Sequence, residues 1–176
     1  MIEQVIEGSF LIAHPRSETN YFSETLIYVL ENNSDGSFGF IINRSAGTSL
    51  GEVLSQTPDA IADETLLIGG PVQNDCLRFL SVCKNNQLKR PPKLISDLAT
   101  AAAHGQEDDC AVLPLLGYAG WAEGQLEHEI SEDVWLIATI DWMTLLSAPE
   151  TERYGLGSSQ LGFDPKLIGL TPDYLQ

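Results

Sequence analysis

Positive charge is scarce in this 176-residue chain. Nine Lys and Arg stand against 25 Asp and Glu, a formal net charge of −16. Nucleic-acid binding rests mainly on Lys and Arg neutralising phosphates, and here the bases are scattered. Their one local enrichment, Lys84, Lys89, Arg90 and Lys93, falls in a Pro-containing stretch that reads as a solvated loop. At long range such a chain is repelled by DNA and by anionic membrane surfaces, and it attracts a basic partner or a cation. Direct nucleic-acid binding and membrane attachment are therefore not expected. Long apolar runs are also missing: none approaches the ~20 residues needed to span a bilayer. The opening Met1-Ile-Glu-Gln-Val-Ile-Glu carries two acids and no base, unlike a signal peptide. The expected location is the cytoplasm.

Chemistry-bearing residues are few. The three cysteines, Cys76, Cys83 and Cys110, are spaced by 7 and 27 residues with no CxxC pair, so a zinc knuckle or thioredoxin-like pair is not supported. They read first as small apolar side chains in or near the core, with a redox or nucleophilic thiol as the alternative. There are only three histidines and no HExxH, and none of the GxSxG, GxGxxG or GxxxxGK[ST] patterns is present. No metal site, cofactor or catalytic set is indicated.

What is present is core material. Hydrophobic residues make up 43% of the chain, enough for one core in one domain of this length. Strands are expected at Ser9–Ala13, Ser23–Leu30 and Ser37–Asn43, the last two joined into a hairpin by Asn32-Asn-Ser-Asp-Gly36. Ser49-Leu-Gly-Glu52 is a capping box opening a short helix over Leu50–Gln56. Thr65–Ile68 and Leu77–Val82 read as strands that could pair, with a polar loop over Asn85–Lys93. Ser96–Ala103 reads as a Ser-capped, Ala-rich helix. Ala111–Leu116 reads as a strand that Pro114 demotes to an edge or bulge, and Gly117–Trp121 as a glycine-rich turn. A helix through Leu126 and Ile130, a strand at Val134–Thr139 and a helix pair interrupted near Pro149 follow. Residues 170–176 are expected to form a loose tail. Strands in hairpins outnumber helices, so the class is α+β.

Several segments together carry a resemblance: Gly8-Ser-Phe-Leu-Ile-Ala-His-Pro15, Phe38-Gly-Phe-Ile-Ile-Asn-Arg44, Gly69-Gly-Pro-Val72, and Gly117-Tyr-Ala-Gly-Trp121 with Gly124-Gln-Leu-Glu127, Glu129-Ile130 and Trp135. From about Gly8 to Gly162 the chain resembles the AlgH/YqgE family of bacterial proteins. The resemblance implies a compact α+β domain with a mixed, barrel-like sheet. Some members are described as candidate transcriptional regulators in connection with exopolysaccharide (alginate) synthesis, and no enzymatic activity is established for the family. Many members carry a His on the strand after the GGPV segment. Here that strand reads Leu77-Arg-Phe-Leu-Ser-Val-Cys83 without one, which counts against any mechanism needing that His.

The candidate binding surface comprises Asn43, Arg44, Gly69, Gly70, Pro71, Tyr118, Gly120, Trp121, Gln125 and Glu129. Each has a plainer reading: Gly69-Gly70 as a tight turn, Tyr118 and Trp121 as core aromatics, Arg44 as a structural polar contact, and the Glu123/Glu127/Glu129 group as a solvated helix face. Two functions follow. One is a non-catalytic binding or regulatory protein acting on a protein or small ligand, and any transcriptional role would run through protein contacts. The other is a hydrolase-like or metal-dependent enzyme with Glu127, Glu129, His14 and Arg44 in one acidic pocket. Juxtaposition of those four would favour the enzyme; an exposed Trp121/Tyr118 patch would favour the binder.

Overall fold

A computed structural model describes residues 5–17, 19–162 and 164. In chain order the elements are β1 (Phe10–Ala13), β2 (Leu26–Asn33), β3 (Gly36–Ile41), β4 (Ser45–Ser49), α1 (Leu50–Val53), α2 (Asp59–Ala62), β5 (Thr65–Ile68) and β6 (Val72–Cys83). They continue with β7 (Lys93–Ile95), α3 (Leu98–Gly105), β8 (Cys110–Trp121), α4 (Gln125–Ser131), β9 (Trp135–Ala138), α5 (Trp142–Leu146) and α6 (Glu150–Gln160). The class is α+β, with one mixed sheet curled into a half-barrel and short helices around it. The sheet runs β4-β5-β8-β3-β2-β1-β9, with β6 added on β8 and β7 on β6. The expected tail lies outside the described residues.

Alternation along the strands explains why both faces of the sheet are covered. Phe10 and Ile12 enter one cluster with Tyr28, Phe40, Leu80 and Leu115, which α5 and α6 close with Leu145 and Tyr154. Leu11 and Ala13 point the other way, into a cluster with Ile27, Ile41, Trp121, Leu126 and Trp135 under α4. A third cluster joins Phe79 and Val112 to Leu50, Ile61 and Ala101 of the helices before β5 and β8. Arg153 of α6 is buried but satisfied. Its Nη1 donates to the Ile42 carbonyl at 2.7 Å and its Nε to the Leu145 carbonyl at 3.3 Å.

The β2–β3 hairpin and the Ser49/Glu52 capping box form as expected. Other expectations are corrected. The glycine-rich segment Gly117–Trp121 is not a turn but the end of the 12-residue β8. Pro114 does not put β8 at an edge, because β8 pairs with β6, β5 and β3. At Pro114 itself the partner is Phe79 of β6, and pairing with β5 starts only at Leu115, so the missing N–H falls where the strand has one neighbour. β5 and β6 do not pair: β5 pairs with β4 and runs parallel to β8. The N-cap of α3 is Asp97, not Ser96, and accepts the Thr100 N–H at 2.8 Å. Helix α1 stops at Val53, short of Gln56, which is left-handed at φ 61°. β4, β7 and α2, at five, three and four residues, are too short to stand out from their flanks.

Candidate functional site

The Gly117–Ile130 motif builds a polar clamp. β8 delivers Trp121 and β9 delivers Trp135, and the two rings meet edge-on with centroids 6.0 Å apart. Helix α4 starts at Gly124, left-handed at φ 74°, and its first turn is tied down when the Ala122 N–H donates to Gln125 Oε1 at 3.0 Å. One helical turn on, Glu129 faces the rings. Its Oε2 accepts the indole N–H of Trp121 at 2.9 Å and of Trp135 at 2.8 Å, while Oε1 accepts Gln125 Nε2 at 3.0 Å. The aromatic residues are therefore core: Trp121 is 7% and Trp135 3% exposed. Three donors already occupy the carboxylate, which has about four acceptor positions. A cleft of about 140 Å³ opens beside it, with Ser17, Asn20 and Phe22 on its far wall.

Gly120 and Trp121 also border a larger cleft of about 640 Å³. Its floor is aromatic. Phe38 meets Phe40 and Tyr118 edge-on at 6.2 and 6.0 Å between centroids. Its far wall is the start of β6, where pairing jumps from Val72↔Tyr118 to Leu77↔Leu116. Residues 73–76 thus bulge outward opposite Gly117 alone, a device common beside binding sites. Gln73 in this bulge is left-handed at φ 47°, a conformation costly for a non-glycine residue. Gln73 Oε1 accepts Arg78 Nη2, and the Arg78 guanidinium lies 5.6 Å from the centre of the Tyr118 ring. Arg78 Nη1 is buried with no hydrogen-bond partner. Among the described residues lining the cleft Arg78 is the one base, and the exposed acids Glu31 and Asp35 stand at its rim.

The remaining surface residues fall elsewhere or serve the backbone. Gly69 stitches strands together: its N–H donates to the Leu116 carbonyl at 2.7 Å and its carbonyl accepts the Ile41 N–H at 2.8 Å. Gly70 lies so close to β8 that an added Cβ would sit 2.1 Å from the Tyr118 carbonyl carbon. Pro71 is exposed next to the cleft wall. Asn43 is a strand-end tie: its Oδ1 accepts the Leu26 N–H and its Nδ2 donates to the Glu24 carbonyl, both at 2.8 Å. Arg44 rests 4.9 Å from the Tyr21 ring centre and reaches the Ser23 carbonyl at 3.5 Å. Tyr118, Gly120 and Trp121 thus share the large cleft; Gly120, Trp121, Gln125 and Glu129 share the small one; Asn43 and Arg44 join neither.

The four residues of the enzyme alternative are not brought together. His14 Nδ1 accepts the Arg16 N–H at 3.0 Å, Arg44 is on Tyr21, Glu127 is exposed, and Glu129 is in the clamp. Sequence reasoning missed Arg78 and Gln73. Arg78 carries one signal, a base inside a mainly apolar strand.

A curled mixed sheet with helices around it, an indole-locked carboxylate and an aromatic-floored cleft define an α+β protein. The AlgH-like family model matches residues 10–166, and the chain belongs to that family. It is 35% identical to the AlgH protein of Pseudomonas aeruginosa, over 93% of this chain and 92% of that one. It is 34% identical to a relative from Nitrosomonas eutropha, over 88% and 89%. The solution structure of Pseudomonas aeruginosa AlgH superposes with a TM-score of 0.70 at 29% identity, covering 98% of each chain. A crystal structure from Corynebacterium diphtheriae shares the fold at TM-score 0.64 and 19% identity, over 97% of this chain and 90% of that one. Among the described residues no helix is long and apolar enough to cross a membrane.

Proposed function

We propose that this protein is a non-catalytic binding protein whose large cleft takes a small organic anion, a carboxylate carried on a flat apolar body. The observation that carries this reading is Arg78 Nη1, buried and without a hydrogen-bond partner beside an aromatic floor. A buried donor left unmade costs about 1–3 kcal/mol, more when charged. A carboxylate entering the cleft supplies the missing acceptor, and the guanidinium's planar fork suits it bidentately once Arg78 turns from Gln73. Phe38, Phe40 and Tyr118 offer ring edges and faces to a flat body.

The regulatory side of the reading follows from position. Val72, exposed, lines the same cleft, and the exposed Pro71 precedes it in the chain, so an occupant changes the surface available to a protein partner. A net charge of −16 favours a basic partner surface and opposes direct contact with DNA. Tight, salt-sensitive binding of the purified protein to duplex DNA would count against this part.

The test of the cleft is a titration of the full chain with benzoate, and in parallel with uncharged benzamide, followed by amide NMR shifts. Shifts at Phe38, Gln73, Arg78 and Tyr118 with benzoate, much weaker with benzamide and lost in Arg78→Met, support the proposal. Equal response to both compounds, or shifts that Arg78→Met leaves intact, would sink it.

A further inference from the structure

A second group of polar side chains lies at the other end of β8. Cys110 is eight residues before Tyr118, about 26 Å along an extended strand, so nothing in this group depends on the Arg78 cleft. The chain leaves α3 in a tight coil. The Glu107 N–H donates to the His104 carbonyl and the Cys110 N–H to the Glu107 carbonyl, both at 3.1 Å. Successive i to i+3 bonds give about three residues per turn, which stacks side chains at i, i+3 and i+6 above one another. One ligand atom each from His104, Glu107 and Cys110 consequently falls within 4.8 Å of the other two.

We propose that His104, Glu107 and Cys110 form a site for one divalent transition-metal ion of the Zn²⁺ type. Imidazole, thiolate and carboxylate are the donors such ions prefer, and three protein ligands leave a fourth position for water or a small molecule. Metal–ligand distances of about 2.0–2.3 Å in a tetrahedron put ligand atoms about 3.5 Å apart. Cys110 Sγ already lies 3.4 Å from Glu107 Oε2. The ring is held by Ser81, 5% exposed, whose Oγ lies 2.9 Å from His104 Nδ1. A buried partner on one ring nitrogen is the arrangement that sets which nitrogen faces a metal. The field is also right, because the carbonyl end of α3 and a chain of net charge −16 both favour a cation here.

Two neighbours compete and both are weak. Arg90 Nη1 approaches Glu107 Oε2 at 3.8 Å, but both side chains are half-exposed, at 52% and 50%, and exposed pairs contribute little. Cys83 stands opposite Cys110 in the β6–β8 register, yet its thiol is turned to the Asn85 carbonyl at 3.4 Å. No sequence pattern flagged the site, because a His-x-x-Glu-x-x-Cys run gathers its ligands only in this three-residue coil.

The experiment is a Co²⁺ titration of the full chain, reduced and freed of metal, followed by absorbance. The expected result is a thiolate-to-cobalt charge-transfer band and tetrahedral visible bands that saturate at one equivalent and are displaced by Zn²⁺. Cys110→Ser removes the charge-transfer band. His104→Gln and Glu107→Gln weaken binding at least tenfold, and Ser81→Ala by about tenfold. Cys83→Ser and Cys76→Ser leave the spectrum unchanged. Circular dichroism shows which variants are folded, and His104→Gln decides the matter if Cys110→Ser is not. No band with the wild type, saturation only far above one equivalent, a band that survives in folded Cys110→Ser, or a band lost in Cys83→Ser would each overturn the proposal.

Discussion

The carbonyl oxygen of Gly70 lies 2.3 Å from where a Cβ on Gly117 would stand. Gly117 is also left-handed, at φ 72°, and the Val72 carbonyl closes in from the same side. The two glycine motifs are therefore halves of one joint, in which the segment after β5 nests against the bulged end of β6 and β8. Gly117→Ala adds left-handed strain of about 1–2 kcal/mol to a steric clash of about 1–3 kcal/mol. The expected loss is about 2–5 kcal/mol in urea unfolding, and a loss under about 1 kcal/mol would show that the joint relaxes freely.

Glu129 is the second point of strain if disturbed. Glu129→Ala leaves the indole N–H groups of two buried tryptophans without an acceptor. At about 1–3 kcal/mol per orphaned donor, the variant should lose roughly 2–6 kcal/mol, with tryptophan emission altered in the folded state. Glu129→Gln keeps the shape but sets an amide where a carboxylate accepted three donors, and should fall between the two. A neutral Glu129→Ala would mean that water replaces the carboxylate in the clamp.

How much of this was legible in the sequence depends on the range of the interaction. The β2–β3 hairpin and the Ser49/Glu52 box are local, set by a turn and a three-residue spacing, and the sequence displays both. Gly117–Trp121 reads as a turn because glycine density is the usual turn signal. Gly117 serves instead to let Gly70 approach β8, a contact made across more than 40 positions. Trp121 and Glu129 stand out as motif residues, but the bond of Glu129 to Trp135 needs β9, which pairs with β1, to reach the cluster under α4. Arg78 is hidden for a related reason, since the cleft it lines is completed by distant residues such as Phe38 and Tyr118.

Two arginines with opposite surroundings make a paired prediction. Arg153 is buried and bonded to the Ile42 and Leu145 carbonyls. Arg153→Met removes both charge-assisted bonds and leaves the Ile42 carbonyl without that donor, while the Leu145 carbonyl keeps the Ala148 N–H at 3.2 Å. It should cost about 2–4 kcal/mol. Arg78 has a buried donor with no partner. Arg78→Met removes that deficit while giving up a contact with Tyr118 of about 0.5–1 kcal/mol, so stability should stay within about 1 kcal/mol of wild type. Ligand-binding residues are often kept against stability in this way. Denaturation of both variants side by side checks it, and an Arg78→Met as damaging as Arg153→Met would mark Arg78 as a structural residue.

Two buried tyrosines should make the fold sensitive to alkali. Burial, with the nearby Glu7 charge, pushes the Tyr28 phenol up to about 12. Burial, with the Glu24 charge, does the same to Tyr154, also to about 12, and the Tyr154 hydroxyl donates to the Ala13 carbonyl at 2.7 Å. A free tyrosine ionises near 10, so the native state holds these protons more tightly than the unfolded chain does. The resulting stabilisation is complete below about pH 10 and is lost as pH rises from there through about 12. Each two-unit shift corresponds to at most roughly 2–3 kcal/mol. Tyr154→Phe loses one hydrogen bond, about 1 kcal/mol at neutral pH, but removes its share of the alkaline fall, so the wild-type and variant curves should converge above pH 10. Urea midpoints at pH 8, 10 and 11 check this, and parallel curves would mean that Tyr154 ionises in the folded protein as it does in the unfolded chain.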